Sequence, residues 1–462
     1  MSERKVLDAS FRDPAGFMFE QDGRLKRLVT IYGRAGYRKF ISSGLYTRLA
    51  KDGLIALHEE EPRSASWPAD TEAVLLPEII PFISYPYEWC FGQLKEAALL
   101  TLRIQELALE HGMSLKDGSA FNVQFRGAKP VFIDTLSFEE NNLGPWPAYS
   151  QFCRHFLAPL LLIRNLWPGA ASLLRASLDG FPLDFASAAL PARTYLNFGC
   201  LVHIHLHARS QRKWTATQRP PIRSDGSVQD DPKPAIIESL RHTVERLDPP
   251  KRATGWTGYY AESQHYSTEA EAAKRAAVTF AVDLIQPRLV YDLGGNTGAY
   301  SRLAAAQGAY CVSFDLDPTC VQLNYLEAQR DGDARLLPLV MDFSNPSPGL
   351  GFASRERMAL DSRPKADLLL ALALVHHLRI TANVPFARIA EYFSRLGEAL
   401  LIEWVPKQDP KVALLLSSRP DTFPDYNQEA FEEAFRRHFD LERVTRLPGN
   451  DRALYLLRGA RR

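Results

Sequence analysis

The sequence has few cysteines, and their arrangement excludes two classes of site. The 462 residues include five cysteines, which are odd in number, scattered along the chain and never spaced as C-x-x-C. A disulfide framework needs paired cysteines, and a zinc site needs closely spaced ligands. We therefore expect neither a disulfide framework nor a zinc site, and the composition suits a reducing compartment.

The sequence also lacks an excess of charge and any long apolar run. It has 55 basic and 54 acidic residues, so neither nucleic acid nor an anionic membrane is an expected partner. The first residues lack the apolar core of a signal peptide. The apolar stretch from Phe156 to Ile163 contains Pro159 and is too short to cross a bilayer. These absences predict a cytoplasmic protein without a membrane span.

Length and composition indicate more than one globular domain. A chain of 462 residues is too long for a single core, while 46% hydrophobic and 24% charged residues are ordinary for a folded protein. The stretch 209–235 is charged, rich in proline and without periodicity, which is typical of a linker. We predict a first domain over residues 1–210, a linker and short helix over 211–250, and a second domain over 251–462.

The stretch from Arg288 to Ser301, RLVYDLGGNTGAYS, indicates a nucleotide-type cofactor site. An apolar run reaches Asp292 and is followed by a turn and the start of a helix. Small residues in such a turn let the backbone approach a ligand closely. The turn contains Gly294, Gly295, Asn296 and Gly298. Because its spacing is D-x-G-x-x-x-G rather than G-x-G-x-x-G, the turn alone does not identify the ligand.

Acidic and polar residues also close the apolar runs that follow. Asp315 ends the run 310–314, where it would accept both hydroxyls of a ribose. Asp342 and Phe343 follow the run 336–340 and suit the amine and the ring face of adenine. His376 and His377 end the run 367–375. Since parallel strands bind ligands at their carboxyl ends, these residues are expected at one edge of a sheet.

This order of motifs resembles the class I S-adenosylmethionine-dependent methyltransferases. The matching positions are Asp292, Gly294 and Gly298 in the turn, with Asp315 and Asp342 downstream. The resemblance implies a C-terminal Rossmann-like, doubly wound α/β sheet that ends in an antiparallel hairpin and binds S-adenosylmethionine. The alternative is a Rossmann-like turn that serves another nucleotide, or none.

Methyl transfer to a hydroxyl group requires removal of a proton, and two histidines are the candidates for the base. His377 is the first choice and His376 the second, while Glu403 could orient the substrate or the base. The alternative is that both histidines cap the strand-to-helix turn. An aromatic cluster ahead of the first helix of this half could line the pocket or simply pack; it consists of Trp256, Tyr259, Tyr260, His265 and Tyr266.

The first half contains a second informative stretch, Leu115 to Phe138. Asp117 and Asn122 are five residues apart, and Asp134 closes the second of two short strands. This layout resembles the catalytic loop and metal-binding acid of protein-kinase-like and aminoglycoside-phosphotransferase-like folds, and it implies an α+β kinase-like domain. In those folds an aspartate acts on the substrate hydroxyl, while an asparagine and a second aspartate hold the magnesium of ATP.

The first half also departs from the kinase pattern. The first hairpin carries no G-x-G-x-x-G, and no strand lysine is evident, although Lys26 or Arg27 could replace it. Asp117 and Asn122 could instead cap a turn between strands. His203, His205 and His207 would share one face of a strand and could then bind a metal, but the flanking composition favours a helix.

The chain as a whole resembles the bacterial methyltransferases related to the rhizobial host-specificity nodulation proteins. The resemblance rests on SFRDPAGF, SYPYEW, the Asp117–Asp134 loop, YDLGGNTG and IEWVPK. It suggests O-methylation of a saccharide or another small hydroxylated acceptor, with the kinase-like domain holding substrate or regulating. Two alternatives remain, a bifunctional or ATP-binding protein and a non-catalytic binding module, and the oligomeric state is not predicted.

Overall fold

The structure is a computed structural model that describes residues 4–64, 67–216, 231–250, 267–417 and 420–460. Its described residues form two compact units. The first unit holds residues up to 125, 130–250 and 351–356, and the second holds 126–129, 267–350 and 357–460. The centre of the predicted linker, 217–230, and the predicted aromatic cluster at 256–266 lie outside the described residues.

The first unit contains a five-stranded antiparallel sheet, two short strand pairs and many helices. Its strands are β1 (Lys5–Val6), β2 (Gly16–Gln21), β3 (Arg24–Thr30), β4 (His58–Glu60), β5 (Thr71–Pro77), β6 (Met113–Leu115), β7 (Val123–Arg126), β8 (Lys129–Phe132) and β9 (Phe138–Glu140). The sheet has the order β1-β2-β3-β5-β4, while β6 pairs with β9 and β7 with β8.

The helices of the first unit include several short or irregular turns. The α-helices are α1 (Arg34–Ser42), α2 (Leu45–Lys51), α3 (Phe91–Glu110), α4 (Tyr149–Phe152), α5 (Ala158–Asn165), α6 (Leu183–Ala189), α7 (Phe198–Cys200), α8 (His207–Ala216) and α9 (Lys233–Glu245). The 3₁₀ turns are Pro86–Glu88, Ala120–Asn122, Ala170–Ala176, Ala192–Leu196 and Phe352–Ser354, and the π-helical turns are Cys153–Leu157 and Leu201–Leu206.

The predicted first hairpin is confirmed. β2 and β3 are joined by Asp22 and Gly23, which both have positive φ, at 53° and 69°. A two-residue hairpin turn needs that conformation, and Asp-Gly supplies it readily. The helical stretch that follows Thr30 is divided into α1 and α2. Gly44, with a φ of 80°, takes the left-handed conformation at which the chain changes direction.

The three alternating histidines lie in a helix, which excludes the strand on which a metal site would depend. His203 makes side-chain hydrogen bonds with Tyr149 and Ser239, at 2.8 and 2.9 Å. His205 does so with Ser187 and Thr194, at 2.8 and 2.9 Å. These buried imidazoles therefore hold helices together. Among the described residues, no group of three His, Cys, Asp or Glu side chains is placed to bind a metal ion.

The second unit is built on a seven-stranded sheet. Its strands are β10 (Leu289–Leu293), β11 (Tyr310–Asp315), β12 (Leu336–Val340), β13 (Ala366–Ala371), β14 (Gly397–Trp404), β15 (Phe439–Arg446) and β16 (Ala453–Ala460). Its helices are α10 (Thr268–Ile285), α11 (Ala299–Ala306), α12 (Pro318–Arg330), α13 (Phe386–Leu396), α14 (Pro410–Leu416) and α15 (Gln428–Arg436), with a 3₁₀ turn at Leu360–Ser362 and a π-helical turn at His377–Thr381.

The sheet has the order β12-β11-β10-β13-β14-β16-β15. The strands β10 to β14 run parallel, whereas β16 is antiparallel to both of its neighbours, so the predicted α/β sheet with a terminal hairpin is confirmed. The chain moves outward from β10 in one direction to β12 and then in the other direction to β14. Because parallel crossovers are right-handed, this reversal distributes the helices over both faces and opens a crevice beyond the ends of β10 and β13.

In the described ranges, none of the helices combines the length and apolar character that crossing a bilayer requires.

Candidate active site

The backbone N–H groups of the turn after β10 all donate hydrogen bonds to other groups of the protein. The N–H groups of Gly294 and Gly295 both donate to Phe314 O, at 2.9 and 2.8 Å. The Asn296 N–H donates to Asp315 Oδ2 at 2.8 Å, and the Thr297 N–H donates to Asn296 Oδ1 at 2.8 Å. Gly298 N–H completes the set by donating to Gly295 O at 2.8 Å. The five amides are therefore satisfied inside the protein, whereas a phosphate-binding turn directs its N–H groups to the ligand.

The small residues of this turn are required by its close packing. A Cβ on Gly295 would lie 2.4 Å from Ser313 Oγ, and one on Gly298 would lie 2.3 Å from Asn324 Oδ1. Gly298 also has a φ of 83°, and Asn296 has a φ of 51°, both in the left-handed region. Asparagine is one of the few residues with a side chain that adopts this region readily, so its position in place of a glycine is accounted for.

Asp292 is buried below the turn and locks the following helix in place. Its Oδ2 accepts a hydrogen bond from the Ser301 hydroxyl at 2.6 Å, and the Ser301 N–H also contacts the carboxylate. Burial raises the pKa of Asp292 to about 6, although the bonds from Ser301 oppose the shift. The acid predicted to contact the cofactor thus joins β10 to α11 in the described structure.

Asp315 lies at the end of β11, next to the turn. Each carboxylate oxygen accepts one backbone N–H, from Asn296 to Oδ2 and from Asp317 to Oδ1, both at 2.8 Å. Burial raises the pKa of Asp315 to about 6, while these two amides act in the opposite direction. The next residue, Leu316, is 63% exposed, so a large apolar side chain lies in solvent just after the end of the strand.

The predicted adenine residues follow β12. Asp342 Oδ1 accepts the Ser344 N–H at 2.7 Å and the Ser344 hydroxyl at 2.6 Å, which leaves Oδ2 outside this turn. The Phe343 ring meets Phe314 of β11 edge to face, with centroids 5.7 Å apart. The acid therefore has a local turn-capping role beside any contact with a ligand, and the aromatic ring is fixed by the neighbouring strand.

His376 and His377 lie in the helical turn beyond β13. The strand is shorter than predicted, because it ends at Ala371 and the chain then turns through Ala373, whose φ is 51°. The two rings contact each other with centroids 4.2 Å apart. Burial lowers the pKa of His377 to about 4, and burial with the nearby charges of Arg452 and Lys274 places the pKa of His376 well below its usual value. Both imidazoles are therefore neutral at physiological pH.

Glu403, near the end of β14, belongs to a buried ion-pair network. Lys274 Nζ lies 2.8 Å from Glu403 Oε2, and Arg452 Nη1 lies 3.2 Å from Glu403 Oε1. Arg452 Nε also lies 2.7 Å from Asp409 Oδ2. The side chains of Lys274, Glu403 and Arg452 are at most 4% exposed. Two cations and two anions thus balance each other behind the histidines.

The first unit brings its predicted cluster together. Asn122 Nδ2 donates to Ser137 Oγ at 3.2 Å, and Ser137 Oγ donates to Asp134 Oδ2 at 2.5 Å. Asp117 interacts with Asn122 and with the charge of Asp134, and burial raises its pKa. Arg27 Nη2 lies 2.6 Å from Asp134 Oδ1, so Arg27, rather than Lys26, is the strand cation that reaches this acid. Although burial acts against it, the Arg27 charge holds the pKa of Asp134 below its usual value.

Sequence comparison assigns the chain to a family. No family model matches it. It is 34% identical over 454 residues to nodulation protein NoeA of Rhizobium meliloti (strain 1021), an alignment that covers 96% of this chain and 94% of that protein. The chain belongs to the NoeA family.

Similar solved structures include two methyltransferases, each similar to part of this NoeA-family chain. One is N-methyltransferase NodS from Bradyrhizobium japonicum WM9, which is 11% identical with a TM-score of 0.31 over 42% of this chain and 99% of that chain. The other is magnesium protoporphyrin IX methyltransferase (ChlM) from Synechocystis PCC 6803 with bound SAH, which is 17% identical with a TM-score of 0.32 over 45% of this chain and 93% of that chain.

The structure adds residues to the site of this NoeA-family member that the motifs do not reveal. Lys274 and Arg452 hold Glu403, and Leu316 exposes an apolar surface beside Asp315. A signal for Lys274 is present in the sequence, since it occupies the buried face of α10 between Ala270 and Val278 at four-residue spacing. A lysine on an apolar helical face is expected to have a buried partner. No comparable pattern identifies Arg452.

Proposed function

We propose that this chain is an S-adenosylmethionine-dependent methyltransferase. The observation that carries the proposal is the turn 294–298, whose five amides are satisfied internally and which lies between the carboxylates of Asp292 and Asp315. A pyrophosphate would find neither free N–H groups nor positive charge there. A cationic nucleoside is compatible with both features, which favours S-adenosylmethionine over a dinucleotide.

The residues at the sheet edge fit this cofactor. Asp315 presents a carboxylate at a strand end, where it would accept the ribose hydroxyls, and Leu316 and Phe343 offer apolar surface for the adenine. Gly294, Gly295 and Gly298 keep side chains out of the turn, and Asp342 Oδ2 would accept from the adenine amine. When bound, S-adenosylmethionine supplies an electrophilic methyl group on a sulfonium sulfur.

We further propose that the acceptor is a saccharide or another small hydroxylated compound, methylated on oxygen. A hydroxyl group must lose a proton as it is methylated, and a neutral imidazole can take it up. Burial lowers the pKa of His377 to about 4, so its imidazole is unprotonated at neutral pH. Glu403 forms ion pairs with Lys274 and Arg452, and the charges of these two residues help to lower the pKa of His376.

The first unit is proposed to hold the substrate or to regulate the second unit.

We place the protein in the cytoplasm, because its five cysteines are all unpaired thiols, as is usual in a reducing compartment.

Asp315→Ala is expected to weaken S-adenosylmethionine binding about 100-fold, because two hydrogen bonds from ribose to a carboxylate are lost. Calorimetric titration of the full chain measures the change. Asp331→Ala, which removes an exposed acid just after α12, is the matched control and should bind as the wild type does. Equal affinity of Asp315→Ala and wild type would refute the role of Asp315, and a wild type that binds no S-adenosylmethionine would refute the proposed function.

The same titration should depend on pH. Since burial raises the pKa of Asp315 to about 6, the carboxylate takes up a proton as the pH falls through 6 and then accepts hydrogen bonds poorly. Affinity is therefore expected to be constant above about pH 7 and to decline below pH 6. Asp315→Asn should lack this decline.

A second candidate function is the binding of magnesium-ATP by the first unit. It is favoured by the convergence of Asp117, Asn122 and Asp134, whose oxygen atoms are of the kind that magnesium prefers. Asp134 would have to exchange the Arg27 guanidinium for the metal. The need to break the Arg27–Asp134 ion pair distinguishes the cluster from an open magnesium site.

If the second candidate is correct, magnesium-ATP should raise the melting temperature of the wild type but not that of Asp134→Ala. Asp52→Ala, which removes an exposed acid paired with Arg48, is the control and should respond like the wild type. The comparison uses the shift on adding nucleotide, so any loss of stability in the variant itself cancels. A wild type that does not respond to nucleotide contradicts this candidate.

A further inference from the structure

The first unit contains a cavity of about 600 Å³ that is independent of both sites described above. Its walls are the end of α5, the stretch 193–200 that leads into α7, and one side of α9. The walls are tightly joined, because a Cβ on Gly199 would lie 2.1 Å from Thr243 Oγ1. Lys95 Nζ also donates to the carbonyls of Glu245 and Leu247, both at 2.8 Å, which fixes the end of α9. The cavity is thus a built feature of the fold.

Three arginines line this cavity, and none of them forms an ion pair with a carboxylate in the described part of the chain. Arg164 Nη1 donates to Arg246 O at 3.3 Å, and Arg193 Nη2 donates to Asn165 Oδ1 at 3.0 Å. A guanidinium has five N–H donors, so each of these arginines retains several. Arg241, which lies on α9 but outside the cavity, differs from these three arginines because it forms ion pairs with Glu106 and Glu245. Unpaired arginines around a concave surface are suited to an anion.

The remaining lining suits a hydroxylated body attached to that anion. Glu238 is the acidic residue of the lining and can accept hydrogen bonds from hydroxyl groups. Asn197 uses its Oδ1 to accept the Cys200 N–H at 3.0 Å, and its Nδ2 is a further donor. Phe198 is 73% exposed, so one ring face is available for stacking against C–H groups. The cavity volume is that of a typical small-molecule site.

We propose that this cavity binds a small hydroxylated anion, a saccharide that carries a phosphate or a carboxylate, through Arg164, Arg193 and Arg246. The shared chemistry is an oxyanion held by the three guanidinium groups, with Glu238 and Phe198 contacting the uncharged part. This cavity shares no residue with the proposed S-adenosylmethionine site, and the proposal does not depend on the methyltransferase function.

Calorimetric titration of the full chain with three probes tests the proposal. Glucose 6-phosphate carries a phosphate, glucuronate carries a carboxylate, and glucose carries no charge. At least one charged probe is expected to bind, and glucose is not. Arg246→Gln should raise the Kd of the bound probe about tenfold. Since no hydrogen bond of the Arg246 side chain to another described residue is present, this variant should remain folded. The triple variant with Arg164→Gln and Arg193→Gln should show no binding.

Arg241→Gln is the matched control and should bind as the wild type does. The proposal is overturned if neither charged probe binds, or if Arg246→Gln and the triple variant bind as tightly as the wild type. Leu196 and Phe198 are 91% and 73% exposed, so an anionic membrane is the competing ligand class. Arginine-dependent sedimentation with phosphatidylglycerol vesicles, in the absence of binding to either charged saccharide, would also overturn the proposal.

Discussion

Glu403→Ala is expected to lower the free energy of unfolding by about 3–5 kcal/mol, the usual cost of removing one partner from a buried ion pair. Glu403 is fully buried and contacts two cations, Lys274 at 2.8 Å and Arg452 at 3.2 Å. Asp409 would still neutralise Arg452, but Lys274 would lose its carboxylate partner while its side chain is only 4% exposed. The loss arises because a buried ammonium group no longer faces its carboxylate, rather than from the strength of the pair itself.

Urea unfolding of the full chain, followed by circular dichroism, measures this loss. Glu398→Ala is the matched control, because Glu398 lies on the same strand and pairs with Lys365 at 2.9 Å, but its side chain is 61% exposed. An exposed pair contributes about 0–1 kcal/mol, so the control should change little. A loss below about 1 kcal/mol for Glu403→Ala would contradict the electrostatic account. Restored stability in Lys274→Met with Glu403→Leu would support it, since apolar residues replace buried ion pairs well.

The second unit was largely predictable because its parallel strands, β10 to β14, are mostly buried on both faces. Such strands appear as continuous apolar runs, and a polar residue at the end of a run marks the ligand-binding edge. Asp315 is placed at the sheet edge by this rule, since it is the last residue of β11. The rule fails where the chain leaves the strand early. The run is apolar from Leu368 to Val375, yet only a left-handed Ala373 shows that β13 has ended.

The partners of the site residues were harder to predict, because they are distant in the sequence. Arg452 follows Glu403 by 49 positions and reaches it only because β14 and β16 are adjacent. Arg27 meets Asp134 by a similar long-range contact. The spacing of residues along the sequence does not reveal such pairs. The charges of these pairs nevertheless influence the protonation of neighbouring groups. The candidate residues could therefore be named from the sequence, while their electrostatic state required the structure.

His377→Ala is expected to reduce methyl transfer about 100- to 1,000-fold while the affinity for S-adenosylmethionine stays unchanged, as for the loss of a general base. Transfer from labelled S-adenosylmethionine to a panel of saccharides measures the rate, and titration measures the affinity. His438→Ala, which removes a histidine just before β15, is the control and should keep the wild-type rate. His376→Ala separates the two candidates, since only the base should combine a large loss of rate with unchanged binding.

The pH dependence of the rate provides an independent test of His377. Burial lowers its pKa to about 4, so the imidazole stays neutral, and able to accept a proton, from pH 8 down to about pH 5. At saturating S-adenosylmethionine, the wild-type rate should therefore be level over that range and fall only as the pH approaches 4. A histidine in solvent would instead lose activity below its ordinary pKa of about 6.5. A rate that is unchanged in His377→Ala would leave this residue with the capping role alone, because the helical turn His377–Thr381 begins at its backbone.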